Sequence, residues 1–462
     1  MSKVKIGFLP LYVKLYDDGA PGMRERVNSF TEEIKTILKS REDVLLVSAD
    51  ICRLEDEFAA AVAMFEKEKV DSIVTLHLAY SPSLQSEKVL KNTSLPIVIL
   101  DTTPTYAFTT DDDAAVISYN HGIHGVQDMC NLLVRNKKQF FIEAGHYKES
   151  DVIERTVARV KGIAAANSFK SARVGSIGGS FAGMGDFIIS DAAYKALGIE
   201  TTVLTPEMVK EIDAKITEDE VTALVESDRA RYNIDEALTE ERHRTTARGS
   251  LVIRRWLEEN KLTAFTANFL KVDKAFGIGG MPFSEANRAM ERGIGYAGEG
   301  DTLNAALVGA LMSVSDEASF IEMFCPDWKN NMIFISHMGE MNTSLAHAKP
   351  TVSPAPMTYS DIDTVKIHAT YKAGTATLIS LVPIADDKFR IVTSLVEMKV
   401  PKCPKLNKNQ IKGWFAPQKS VADFLCDYTK LGGPHHLSLM YGDARKTAET
   451  FAGVLGFEYF EI

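Results

Sequence analysis

Cysteine is scarce in this chain and shows no pairing pattern. Its five cysteines, Cys52, Cys130, Cys325, Cys403 and Cys426, are odd in number and never spaced as CxxC. That gives no zinc knuckle and fits reduced thiols in a cytoplasmic protein. Basic residues are outnumbered, 52 Lys and Arg against 62 Asp and Glu, for a net charge of −10. Without a basic stripe to neutralise phosphates, nucleic acid is not an expected partner. No apolar run approaches the roughly 20 residues that span a bilayer, so no membrane partner is expected either. The N-terminal MSKVKIGFLPLYVKLYDD carries lysines on both sides of a short uncharged stretch and has no small-residue cleavage site. It reads as a first strand, not a signal peptide. Internal repeats and low-complexity tracts are also lacking. The glycine-rich GGSFAGMGD (178–186) matches neither GxGxxG nor the Walker pattern GxxxxGKS/T, and reads as a sharp turn or a pocket-lining loop.

What is present is a regular alternation of strand and helix patterns. VKIGFLP, VLLVSAD, SIVTLHL, PIVILDT and KQFFIEAG are near-continuous apolar runs, as parallel strands buried on both faces are. Between and after them lie the amphipathic RERVNSFTEEIKTILKS, RLEDEFAAAVAMFEKEK and ESDVIERTVARVKGIAAANSF. A second α/β unit begins at RVGSIGG, passes through TTVLTP and AFTANF, and ends in a helix starting at Asp301. Beyond about residue 317, MIFISHMGE, TVKIHATYK, TATLISLVPI and KFRIVTSLVEMKV alternate with hairpin-length breaks, predicting an antiparallel β domain. The expected architecture is two doubly wound, Rossmann-like α/β domains (1–168 and 169–316) followed by a mainly antiparallel β-rich domain (317–462).

Four stretches look odd for structural reasons alone. In GYAGEGDTLNAALVGALM, Glu299 lies between two glycines, just before a helix that Asp301 can cap. In SFIEMFCPD, strand alternation puts Glu322 on the face of Phe320 and Phe324, and in IFISHMGE it puts His337 beside Ile333 and Ile335. A carboxylate on an apolar face costs several kcal/mol (order of magnitude) unless paired, hydrogen-bonded or metal-bound. In GGPHH (432–436) two glycines and a proline make a bend that presents His435 and His436. Singly these fit a surface turn, a lysine-paired glutamate, a satisfied core histidine and a solvated bend. Together, two carboxylates and one or two imidazoles suit a divalent ion of the Mn²⁺ type, and the absence of thiolates disfavours structural zinc.

In order, AGEGD, SFIEMF, SHMGE and GGPHH resemble the metal-site signature of the L-arabinose isomerase family, within the arabinose/fucose isomerase superfamily. The resemblance covers most of the chain and is closest from AFTANF to SHMGE and at GGPHH. It implies Glu299, Glu322, His337 and His436 as ligands of Mn²⁺, or of another divalent cation such as Co²⁺ or Mg²⁺, with His435 the neighbour. The site would lie at the junction of the central and C-terminal domains. NHGIHG resembles the family's N-Q-T-A-H-G stretch, so His124 matches a histidine that reaches a neighbouring subunit's site. That implies a homo-oligomer, trimer or hexamer, with the site shared between subunits and the first domain serving as lid and interface. Tyr80 in HLAYSP stands where the family has phenylalanine, Phe269 matches a pocket aromatic, and His121 replaces a glutamine. The first loop reads YVKLYDD, with Tyr16, where the family has Q-H-L-Y-G. The metal motifs are kept while the groups expected to grip sugar hydroxyls differ.

The resemblance implies a cytoplasmic aldose–ketose isomerase acting through an enediol or enediolate on a small aldose, a pentose or a deoxy sugar. Glu299 and Glu322 would carry the acid–base work beside the metal. A non-catalytic sugar-binding protein, or an epimerase or aldolase using the same centre, is the alternative.

Overall fold

The computed structural model describes residues 3–112, 114–355, 362, 364–401 and 412–462; Cys403 lies outside them. The chain divides into two compact units, Met1–Ala164 and Ala165–Ile462.

The first unit is built on five parallel strands, β1 (Val4–Leu11), β2 (Val44–Ser48), β3 (Ser72–His77), β4 (Ile97–Asp101) and β5 (Phe140–Ala144). Their order is β2-β1-β3-β4-β5, so the chain winds outward in both directions from β1 and β3. β3 is buried at every position, which is why its sequence runs apolar without alternation. Helices α1 (Pro21–Lys39), α2 (Glu55–Lys67) and α3 (Gly122–Arg135) follow β1, β2 and β4. Phe58, Val62 and Phe65 of α2 pack with Leu9, Ile73 and Ile99 of the sheet and with Val126 and Met129 of α3. This spacing of three and four residues on α2 is what makes it a crossover helix.

In the second unit, β6 (Arg173–Ile177), β7 (Glu200–Val203), β8 (Ala264–Ala267) and β9 (Gly295–Gly298) form a parallel sheet ordered β9-β8-β6-β7. Helix α4 (Thr302–Met312) follows β9, with Asp301 as its N-cap accepting from the Asn304 N–H at 2.8 Å. Every residue of α4 is buried, so its sequence shows no polar face. The expected antiparallel domain is also present: β10 (Ala318–Asp327), β11 (Met332–Ile335), β12 (Gly374–Ile384), β13 (Lys388–Lys399), β14 (Gly413–Pro417) and β15 (His436–Tyr441). They are ordered β12-β15-β10-β11-β14-β13, and β13 pairs back to β12, closing a six-stranded antiparallel barrel. β16 (Glu458–Glu461) adds to β13 in parallel. The barrel interior is filled by Ile321, Ile333, Leu378, Val392, Phe415 and Leu437, among others.

Two local readings need correction. TVKIHATYK does not join the barrel. Its strand, Val365–His368, pairs antiparallel with Thr351–Pro354, which pairs in parallel with Asn233–Ile234 as a separate three-stranded sheet. Phe324 does not share the face of Phe320 and Glu322. The register of β10 against β11 jumps between Met323 and Cys325, a β-bulge that leaves Phe324 half exposed, at 49%. No helix among the described residues is long and apolar enough to cross a membrane.

Candidate metal centre

The centre lies within the second unit and draws on four separate stretches. Glu322, on β10, and His436, the first residue of β15, are direct cross-strand partners. Alternation sends Ile321 into the barrel core and turns Phe320 and Glu322 to the other side of β10. Phe320 is fully buried, and its ring packs edge-on against His337 at 4.9 Å and against His436 at 5.0 Å. His337 sits two residues beyond β11 and is buried.

Glu299 follows β9 in the left-handed backbone region, φ 60°. For a residue with a side chain this costs on the order of 1–3 kcal/mol, and such strain persists where the surroundings impose it. The glycine before it is required by close approach: a Cβ on Gly298 would stand 2.4 Å from Cε1 of His337. The bend at GGPHH is a Schellman closure of helix α5 (Val421–Lys430). Gly432, at φ 80°, donates to the Thr429 carbonyl, and Gly433 donates to that of Tyr428. The helix end thus delivers the two histidines directly into β15.

The donor atoms gather into two overlapping triplets, Glu299–His435–His436 and Glu322–His337–His436, each with all its ligand atoms within 4.8 Å of one another. His436 Nε2 lies 3.5 Å from Glu299 Oε2, and His337 Nε2 lies 3.7 Å from Glu322 Oε2. Oxygen or nitrogen donors about 2.1 Å from one octahedral ion stand roughly 3 Å apart when adjacent and 4.2 Å when opposite. Glu299 Oε2, His435 Nε2 and His436 Nε2 are buried with no hydrogen-bond partner among the described residues. Orphaned buried acceptors and imidazole nitrogens converging at such spacing fit a bound divalent cation.

Two residues that sequence reasoning did not assign to the site support it from behind. Glu340, fully buried, bonds Nδ1 of His337 at 2.7 Å and accepts from the Tyr296 hydroxyl at 2.9 Å. Asp301 meets Nδ1 of His436 at 3.1 Å while it caps α4. Each carboxylate occupies Nδ1 and leaves Nε2 facing the centre, as the carboxylates behind metal-binding histidines usually do. Glu340 stands three residues after His337 in the quoted SHMGE, and Asp301 was visible only as a helix cap.

The two glutamates are held apart in acidity. Burial alone would raise both. For Glu299, the neighbouring imidazoles of His435, His337 and His436 outweigh it and lower the pKa. For Glu322, burial wins, with the Glu299 charge adding to it, and the pKa is raised. His337 is pulled down by burial but lifted to about 9 by Glu340, Glu322 and Glu299.

The expected sugar-gripping residues fall into two groups, one in each unit. In the first unit, the Tyr16 hydroxyl lies 3.1 Å from His121 Nε2, the His121 and His124 rings are 5.3 Å apart, and Tyr80 faces His124 edge-on at 6.5 Å. Tyr16 follows β1 and Tyr80 follows β3, the adjacent strands from which the chain winds in opposite directions. That is the crevice where open parallel sheets bind ligands. Phe269 belongs to the second unit, after β8, where its ring packs on Phe181 at 5.5 Å.

With this geometry in hand, the relatives are informative. The L-arabinose isomerase central domain family matches residues 190–317, and the L-arabinose isomerase C-terminal domain family matches residues 317–458, together more than half of the chain. The chain belongs to the L-arabinose isomerase family. The L-arabinose isomerase of Lactiplantibacillus plantarum is 24% identical over 468 residues, covering 92% of this chain and 94% of the relative. That of Oceanobacillus iheyensis is 24% identical over 86% of this chain and 85% of the relative, and that of Herpetosiphon aurantiacus 24% over 76% and 72%. Such identity over nearly the full length marks a divergent member. A periplasmic solute binding protein from Actinobacillus succinogenes, solved with bound D-allose, is 12% identical and covers 68% of this chain and 92% of that one. Its TM-score of 0.14 is too low to bear on the fold.

Proposed function

We propose that this member of the L-arabinose isomerase family is a metal-dependent aldose–ketose isomerase acting on a small aldose, a pentose or a deoxy sugar. What supports the reading is the pair of triplets that share His436, Glu322–His337–His436 and Glu299–His435–His436, with Nδ1 of His337 engaged by Glu340 and Nδ1 of His436 by Asp301. Glu299, Glu322, His337 and His436 would hold a divalent ion, Mn²⁺ before Co²⁺ or Mg²⁺. When bound, the ion supplies Lewis-acid stabilisation to the sugar's carbonyl and hydroxyl oxygens.

The chain's own residues do the rest. Isomerisation removes a proton from C2 of the aldose, forms an enediolate, and returns a proton to C1 while the oxygens exchange a proton. One carboxylate can take the carbon-bound proton and the other can serve the oxygens. Their unequal acidities, Glu299 lowered and Glu322 raised, suit two carboxylates with different duties. Phe320, buried between the imidazoles, keeps water from the inner side of the centre.

The same reading makes the three-domain division at 1–168, 169–316 and 317–462 a functional one, with the centre at the junction of the last two. Tyr16, Tyr80, His121 and His124 would contact sugar hydroxyls, His124 in the site of a neighbouring chain of a trimer or hexamer. Phe269 would line the pocket, and the protein would act in the cytoplasm. The test is a panel of pentoses, hexoses, deoxy sugars and tetroses incubated with the Mn²⁺-loaded protein, with products identified by chromatography and NMR. The expected product is the matching 2-ketose. Epimers, cleavage to smaller carbonyl compounds, or binding without conversion would contradict the proposal.

A further inference from the structure

The glycine-rich stretch after β6 has no part in the chemistry above, yet it lies against the centre at both of its ends. At the near end, Phe181 N–H donates to the Glu299 carbonyl at 2.9 Å, and the Ser180 hydroxyl donates to the Gly300 carbonyl at 3.1 Å. At the far end, one oxygen of Asp186 accepts from the backbone N–H of His435 at 3.0 Å and meets its Nδ1 at 2.6 Å. The next residue, Phe187, is buried and stacks on His436, 5.5 Å between centroids with the planes 9° apart. The loop therefore joins AGEGD to GGPHH, two of the four stretches that build the centre.

Asp186 repeats for His435 what Glu340 and Asp301 do for the other two imidazoles. It occupies Nδ1 and turns Nε2 inward, to 3.8 Å from Glu299 Oε2, where that nitrogen is buried and meets no hydrogen-bond partner among the described residues. One difference separates this pair from the other two. The side chains of Glu340, His337, Asp301 and His436 are 0–5% exposed, whereas Asp186 and His435 are 35% and 30% exposed. The third imidazole stands where the centre opens to solvent, the side from which a polar ligand must arrive. With Nδ1 committed to a carboxylate, its Nε2 is set to engage a hydroxyl.

We propose that the glycine-rich loop is a working wall of the substrate site, in which Asp186 is a positioning residue holding His435 so that Nε2 meets a hydroxyl of the bound sugar. The inference rests on the isomerase reading. A sugar whose hydroxyl points elsewhere leaves Nε2 unpaired, so the pair selects among stereoisomers.

The experiment is a double-mutant cycle on the full-length, Mn²⁺-loaded protein, using the aldose from the panel that the wild type converts fastest. Asp186→Ala and His435→Ala should each raise KM about tenfold or more. The double variant should be no worse than His435→Ala alone, because Asp186 acts through that ring. Asp186→Asn, which can still accept from Nδ1–H, should recover part of the loss. Mn²⁺ affinity measured by calorimetry should stay within about twofold of wild type in all of them. Additive losses, an unchanged KM in Asp186→Ala, or a fall in Mn²⁺ affinity matching that of His436→Ala would overturn the proposal. A wild type inert towards every aldose would overturn the isomerase reading itself, and the sugar contact with it. An active wild type with an unaffected Asp186→Ala variant would overturn only the role of the loop.

Discussion

At the residue scale, Glu299 and Glu322 differ in surroundings although both face the same space, and each can be removed without changing side-chain shape. Glu299→Gln and Glu322→Gln should each lower kcat at least about a hundredfold in steady-state assays. The double variant should be little worse than either single one, because the two act as a unit. Near-normal turnover in either single variant would contradict their assignment. The carboxylates behind the histidines have a separate signature. Glu340→Gln and Asp301→Asn should weaken Mn²⁺ binding about ten- to a hundredfold by calorimetry. Asn remains a good N-cap, so Asp301→Asn should leave the melting temperature of the metal-free protein almost unchanged. Acidity adds a pH dependence. In the metal-free protein His337 is lifted to about 9, so at neutral pH it carries a proton that a metal must displace. Apparent Mn²⁺ affinity should therefore rise as pH increases from 6 towards 9, and a pH-independent affinity would contradict His337 as a ligand.

At the element scale, the centre depends on how three strands and two turns end. Gly298→Ala would drive a methyl group into the His337 ring, 2.4 Å from Cε1, at the last residue of β9. We expect loss of Mn²⁺ binding with the parallel sheet intact, read by calorimetry beside circular dichroism. Retained affinity would mean that the ring can move aside at no cost. Much of this geometry could be read beforehand, and the reasons are local. Buried parallel strands such as SIVTLHL announce themselves by unbroken apolar runs, and a glutamate between glycines ahead of an Asp cap has few structural excuses. Barrel closure was not legible, because pairing of β15 with β10 and with β12 depends on contacts distant in sequence. Nor was the bulge at Phe324, since one inserted residue reverses the facing of all that follow without changing composition. Asp301 and Glu340 carry no sequence signal as site residues, because each needs a histidine Nδ1 within reach, which only the folded chain supplies.

At the scale of the whole molecule, each of the two units carries one group of the residues that the proposed function calls on. The second holds the convergent carboxylates and imidazoles, and the first holds the Tyr16, Tyr80, His121 and His124 cluster at its strand ends. If the site is shared between chains, a His124→Ala chain and a Glu322→Gln chain, each inactive alone, should regain partial activity when unfolded and reassembled together. An active monomer in size-exclusion chromatography, or no recovery in verified mixed assemblies, would contradict the sharing. The central claim, that Glu299, Glu322, His337 and His436 hold a metal on which isomerisation depends, is tested most directly by one titration. Mn²⁺ is added back to chelator-treated protein while ketose formation and the melting temperature are followed together. Both should rise with the same midpoint, the stability gain reaching about 2.7 kcal/mol at a hundred times the dissociation constant, and neither should respond in Glu322→Gln/His436→Ala. Full turnover after chelation, with a melting temperature indifferent to Mn²⁺, would contradict the account.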